Sequence, residues 1–177
     1  MNTRLVGSEM CIRDRYATDY QKEKYLKKLL NGEMVIGLGM TEPNAGSAVT
    51  DLTTKAVQDD KGFRVSGSKV FTSNSPDADI FLIYVRYHEG INGIGSVIMD
   101  TSMPGFSKGT SSKYTNGEEW CALYFDNVFI PEENVLLGPG GFKKQISGFN
   151  AERIGNSARS LAPVSYTHLT LPTRLPV

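Results

Sequence analysis

Between residues 33 and 130 the chain repeats one pattern seven times: a short run rich in apolar and β-branched residues, then a cluster of turn formers. The runs are EMVIGLGM (33–40), LTTKAV (52–57), GFRVSG (62–67), KVFTSN (69–74), DIFLIYVR (79–86), GSVIMDT (95–101) and CALYFDNVFI (121–130). Pieces such as DDKG, NSPD, EGING and SMPG stand between them. Apolar runs this short, bounded by Gly, Pro, Asn and Asp, read as strands. No helical stretch alternates with them, which argues against a doubly wound parallel sheet. The pattern predicts a mainly β domain, an antiparallel barrel or sandwich.

Helical spacing is confined to the flanks. In YATDYQKEKYLKKLLNGE the residues Tyr20, Tyr25, Leu26, Leu29 and Leu30 recur at near-helical intervals, charges fill the gaps, and Asn-Gly ends the run. After IPEEN and GPGG, a second helix is predicted over residues 142–162, with Phe142, Ile146, Phe149, Ile154, Ala158 and Leu161 as an imperfect apolar stripe. Neither helix has an obvious partner in the chain, and a lone amphipathic helix needs one. The expected organisation is therefore α+β in fragment form. Residues 16–32 end a helical part, 33–135 form the β-domain, and 136–162 begin another helical part.

The two ends read differently. The codons GAG ATG TGT ATA AGA GAC AGG spell Glu9–Arg15, and their reverse complement spells Pro163–Leu169. An inverted repeat flanking an insert is how a DNA adapter reads when translated. Residues 1–15 and 163–177 are accordingly expected to be foreign and are set aside from fold reasoning. Residues 16–162 then carry 15 Lys plus Arg against 17 Asp plus Glu, one cysteine (Cys121) and one histidine (His88). One Cys with one His offers neither an internal disulfide nor a usual zinc site, so no metal is expected. The near-neutral charge without basic clusters argues against nucleic acid as the main partner. No apolar run is long enough for a membrane span, and an intracellular protein is expected.

The loop GMTEPNAGSAV (39–49) invites a functional reading. Pro43 and Gly46 stop the strand and shape a turn. Small residues from Ala45 to Ala48 let another molecule approach the backbone, and Thr41 and Ser47 add hydroxyls suited to a neutral ligand. The absence of Lys and of a G-x-x-x-x-G-K pattern excludes a phosphate-binding P-loop. On spacing alone, a plain turn and a ligand-binding rim both remain open.

Taken in order, QKEKYLKKLLNGE, MTEPNAGS, GSKVFTSN, LYFDNVFIPEENVL and GFKKQISGFNAERIG resemble the middle part of an acyl-CoA dehydrogenase, over essentially all of residues 16–162. The resemblance implies a β-domain between two helical domains, with FAD and an acyl-CoA substrate meeting between the β-domain and the C-terminal helices. It implies that Leu38, Met40, Thr41, Gly46 and Ser47 border the flavin, with Ser47 also near the substrate, and that Phe71, Thr72 and Ser73 form a second flavin contact. A flavin ring needs an aromatic or apolar face and polar partners at its edge, which those residue types supply. Thr72 and Ser73 alternate across a strand, so one of the two is expected to face the ligand. The implied reaction removes an α-proton with a carboxylate while the β-hydrogen leaves as hydride, giving a trans-2-enoyl-CoA. Electrons then pass to an electron-transfer flavoprotein. A homo-oligomer is implied for the full-length protein, in the cytoplasm of a bacterium or the mitochondrial matrix of a eukaryote.

In the isovaleryl and some long-chain branches the catalytic base stands where Glu152 stands here; in most members it lies further downstream. Glu152 shares a helical face with Gly148, Phe149 and Gly155. Each glycine costs a helix about 0.8–1 kcal/mol relative to Ala, which implies a need for space around the carboxylate. The alternative is a solvated helix glutamate, and both readings stay open. Asn150 and Arg153 match positions that contact the CoA moiety. Three departures stand out: Ala48 where a carboxylate is usual, Phe71 where Trp is common, and Glu118, Glu119 and Trp120 in place of Ser-Asp-Thr. A flavin oxidase or monooxygenase of the same fold, and a non-enzymatic β-domain that binds a partner through the same loop, are the competing readings.

Overall fold

The computed structural model describes residues 15–170. Of the end segments expected to be foreign, residues 1–14 and 171–177 lie outside the described residues. Among the described residues there are nine strands: β1 (Ile36–Gly39), β2 (Lys55–Asp59), β3 (Gly62–Ser73), β4 (Ile80–Arg86), β5 (Ile94–Asp100), β6 (Phe106–Lys108), β7 (Ser112–Lys113), β8 (Glu119–Pro131) and β9 (Val135–Leu137). They form one sheet in the order β6-β8-β3-β2-β4-β5-β9, with β1 beside β4 and β7 beside β8. Pairing is antiparallel except where β1 and β2 run parallel to β4. The long path through β2 and β3 gives β1 room to return in the parallel sense.

The expected strands at 62–67 and 69–74 are one strand, β3, irregular in two places. Its register against β8 shifts between Val65 and Gly67 and again between Lys69 and Thr72. Gly67 adopts φ +147°, and a Cβ there would stand 2.7 Å from Thr54 Oγ1. The glycine therefore lets the chain at Thr54 lie directly on β3.

β4 lacks polar alternation because both its faces are buried. Its inner side chains Phe81, Ile83 and Val85, with Val97 and Met99 of β5, pack on Val65 of β3 and on Leu123, Phe125, Val128 and Ile130 of β8. Its outer side chains Ile80 and Leu82, with Ile98, cover Tyr25 and Leu29 of the first helix and Leu136 and Leu137. Further along the same outer face, Tyr84 and Ile94 join Ala45 and Leu52, against which Phe142 and Phe149 pack.

The first helix, α1 (residues 19–30), contains a π-helical turn at Lys22–Leu26. Thr18 and Gln21 cap its start reciprocally, at 3.1 and 3.2 Å. Gln21 is fully buried, and its Nε2 also donates to the carbonyls of Glu133 (2.7 Å) and Val135 (2.9 Å). One side chain thus caps α1 and pins it to the turn before β9. Gln21→Ala leaves two carbonyls without this donor and is expected to cost about 1–3 kcal/mol. The urea midpoint measures this, and an unchanged midpoint would show that α1 docks without the residue.

The second helix, α2 (Phe142–Thr170), runs on beyond residue 162, where foreign sequence was expected to begin, and passes through Pro163. Residues 153–169 are exposed throughout, so water is at hand for the carbonyl that Pro163 leaves without its N–H partner. Among the described residues no helix is long and apolar enough to cross a membrane.

Candidate functional site

The loop after β1 is a closed hairpin. Glu42 and Ala45 exchange two backbone hydrogen bonds of 3.1 Å, with Pro43 and Asn44 exposed at the tip. Beneath the tip, Glu42 turns inward and is buried together with Lys69 of β3, their charged atoms 2.8 Å apart. Oε1 of Glu42 also accepts from the N–H and hydroxyl of Thr54 (3.0 and 2.6 Å), and Oε2 from those of Thr53 (2.6 and 2.7 Å). Lys69 Nζ donates in addition to the Met40 carbonyl at 3.2 Å. β1 offers Gly39 where the Lys69 stem passes; a Cβ there would stand 3.2 Å from Lys69 Cγ. Burial by itself would raise the Glu42 carboxyl, but the Lys69 charge and the surrounding donors outweigh it and hold the group at about 2. Lys69 is pulled down by burial to about 8 while Glu42 opposes the shift, so both are charged at neutral pH.

With Glu42 facing in, the rest of the loop faces out. Thr41 is half-buried; Gly46 and Ser47 are exposed, and nothing lies within 4 Å of where a Gly46 Cβ would be. The Thr41 carbonyl accepts from the N–H of Val70 at 2.9 Å, which sets the loop beside the second predicted contact. There the β3 irregularity decides which side chains emerge. Phe71 has φ +57° and is 56% exposed; Thr72 is buried with Oγ1 unpartnered; Ser73 is exposed. Ser73, with Phe71, is therefore the member of the pair available to a ligand.

The third component comes from α2. Phe142 and Phe149 dock on the cluster of Ala45, Leu52, Tyr84 and Ile94, which Leu38 and Met40 also join. Glu152, one turn beyond Phe149, is half-buried, and its Oε2 is buried without a hydrogen-bond partner. A buried carboxylate oxygen with no hydrogen-bond partner of its own is free to accept a proton from a neighbouring group. Asn150 and Arg153 lie on the exposed side, hydrogen-bonded to each other at 3.0 Å.

The predicted residues therefore form three connected patches: the Thr41–Ser47 loop, the Phe71–Ser73 turn of β3, and the Phe149–Glu152 face of α2. An open backbone at Gly46, the hydroxyls of Ser47 and Ser73, and an exposed aromatic ring suit a flavin's needs. Among the described residues no group of three or more His, Cys, Asp and Glu is placed to hold a metal ion. Sequence reasoning missed the Glu42–Lys69 pair, which fixes the loop. Glu42 sat in the quoted motif, but nothing in the spacing linked it to a lysine 27 residues away.

Comparison with known proteins gives the same direction. The family described as "Acyl-CoA dehydrogenase, middle domain" matches residues 37–128. Isovaleryl-CoA dehydrogenase of Arabidopsis thaliana is 40% identical over 156 residues, covering 83% of this chain and 38% of that protein. The 2-methylacyl-CoA dehydrogenase of Solanum tuberosum is 38% identical, covering 84% and 38% respectively. Among solved structures, butyryl-CoA dehydrogenase from Megasphaera elsdenii superposes with a TM-score of 0.81 at 31% identity, over 86% of this chain and 41% of the other. The chain thus spans about two fifths of the length of these relatives.

Proposed function

The chain belongs to the acyl-CoA dehydrogenase family, and on that premise we propose that it is the flavin-facing part of an FAD-dependent enzyme converting an acyl-CoA to its trans-2-enoyl-CoA. The observation that carries the reading is the 2.9 Å bond from the Val70 N–H to the Thr41 carbonyl, which ties the hydroxyl-bearing open loop to the stretch of β3 that carries the exposed Phe71 and Ser73. In this proposal Leu38, Met40, Thr41, Gly46 and Ser47 border the cofactor from β1 and its loop, and Phe71 and Ser73 border it from β3. Thr72 supports them from the interior. Bound FAD would supply the hydride acceptor. Glu152 would take the α-proton on its shielded oxygen, while Ser47, Asn150 and Arg153 would hold the CoA ester. The names of the isovaleryl-CoA and 2-methylacyl-CoA relatives favour a short, branched acyl group as the substrate to try first. An electron-transfer flavoprotein would collect the electrons, and the full-length protein would be a homo-oligomer.

The test is made on the full-length gene product. It is expected to purify yellow with one FAD per chain, to bleach anaerobically with isovaleryl-CoA, and to reoxidise slowly in air. The 177-residue chain, which holds about two fifths of the relatives' length, is expected to bind FAD more weakly. A colourless full-length protein would sink the flavin reading, and rapid peroxide formation would make the enzyme an oxidase.

A further inference from the structure

Phe71 has a left-handed backbone, φ +57°, which is uncommon for a bulky residue, and it is 56% exposed. Such conformations persist in bulky residues only where the surroundings impose them. Burial does not impose this one, because the residue is exposed. Two aromatic side chains do. The Tyr114 hydroxyl donates to the Phe71 carbonyl at 3.0 Å. The Trp120 ring lies 4.6 Å from the Phe71 ring at a tilt of 50°, and the Tyr114 ring stacks on the indole at 6.1 Å and 29°.

The scaffold under this trio is braced. Trp120 sits opposite Ser73 across the β3–β8 ladder, and the Asn74 N–H donates to the Glu119 carbonyl at 3.0 Å. The segment carrying Tyr114 is tied down by the Lys113–Glu119 ion pair (3.0 Å), the Ser111–Glu119 bond (2.8 Å) and the Tyr114 N–H to the Glu118 carbonyl (2.8 Å). The register shift between Lys69 and Thr72 supplies the extra residue that lets Phe71 turn outward.

We propose that Tyr114 and Trp120 are positioning residues that hold Phe71 in its left-handed conformation, so that its exposed ring is presented, one residue beyond the Val70–Thr41 bond, as a stacking face for a flat conjugated ligand. The inference rests on the flavin reading for the identity of that ligand. It assigns a purpose to β7, whose two residues are both exposed, and to the short loop that follows it. Without the hydroxyl bond and the indole, Phe71 is free to return to an ordinary φ, and its ring is no longer presented.

The experiment uses the isotopically labelled 177-residue chain, NMR, and FAD as the probe. In the wild type the Phe71 backbone shifts are expected to report a positive φ, and FAD is expected to move the resonances of Thr41, Ser47 and Phe71. Trp120→Leu and Tyr114→Phe are each expected to remove the positive-φ signature and weaken the FAD response about fivefold, with core resonances such as Val65 and Leu123 unmoved. Trp120→Phe, which keeps a ring, is expected to restore most of both. Tyr114→Phe deletes one oxygen from a half-exposed residue and keeps the test open if the tryptophan variant does not fold. Unchanged Phe71 shifts in both variants overturn the clamp. A Phe71 geometry that depends on Trp120, together with a full-length protein that purifies without flavin, overturns the flavin reading and leaves the clamp standing.

Discussion

Replacing Lys69 by Met is expected to lower the unfolding free energy of the chain by about 3–5 kcal/mol at neutral pH. The lysine is fully buried and its partner Glu42 is 4% exposed, so removal of the ammonium leaves a carboxylate charge inside the protein with only neutral donors around it. The pairing of Glu42→Gln with Lys69→Met removes both charges and is expected to recover most of the loss, which separates the charge effect from a packing effect. The pH dependence follows the same pair. The folded Glu42 titrates at about 2 against 4.5 ordinarily, so its stabilisation is fully present above pH 4.5 and fades as the pH falls toward 2. That shift corresponds to about 3 kcal/mol. Urea unfolding from pH 6 to 2 should show the decline in the wild type and a flatter profile in the double variant. A Lys69→Met chain as stable as the wild type would show that the pair does not hold the loop.

In the full-length enzyme, Glu152→Gln is expected to lower turnover by about 10²–10⁴-fold with FAD still bound. The exchange keeps the shape of the side chain but removes the proton acceptor. Because Glu152 lies on α2 while the proposed flavin contacts lie on β1, its loop and β3, cofactor content and visible spectrum should be unaltered. Anaerobic mixing with isovaleryl-CoA reads the flavin reduction step directly. Retained reduction would move the base to a carboxylate downstream of this chain.

The β-domain was legible because β4, β5 and β8 carry long apolar or β-branched runs, and their edges carry turn formers. β6 and β7 were not, since FSK and SK hold a single apolar residue between them; pairing with β8 makes them strands. The division of β3 in two was a fair reading of Gly67, but the structure uses that glycine for close approach to Thr54 without ending the strand. In the candidate site, the exposed members of the loop and Phe71 were readable as motif residues. Which of Thr72 and Ser73 points outward depended on a register shift that alternation cannot foresee. Trp120 looked like a departure from pattern until its ring was seen against Phe71, a contact between residues 49 positions apart. Such contacts depend on strand register, and single-sequence spacing carries no register.

Every anchor of the loop after β1 lies C-terminal to it: Thr53 and Thr54, then Lys69 and Val70, and finally β4, to which β1 itself is paired. During synthesis, which proceeds at roughly 5–20 residues per second, the segment carrying Thr41 and Ser47 therefore leaves the ribosome with nothing to bind to. Glu42 waits 27 residues for Lys69, and the parallel pairing of β1 is complete only when Ile83 has been added. The ligand rim is made early in the chain and shaped late. A nascent protein stalled before β4 would expose this loop to proteases, whereas one stalled after β5 would already protect it.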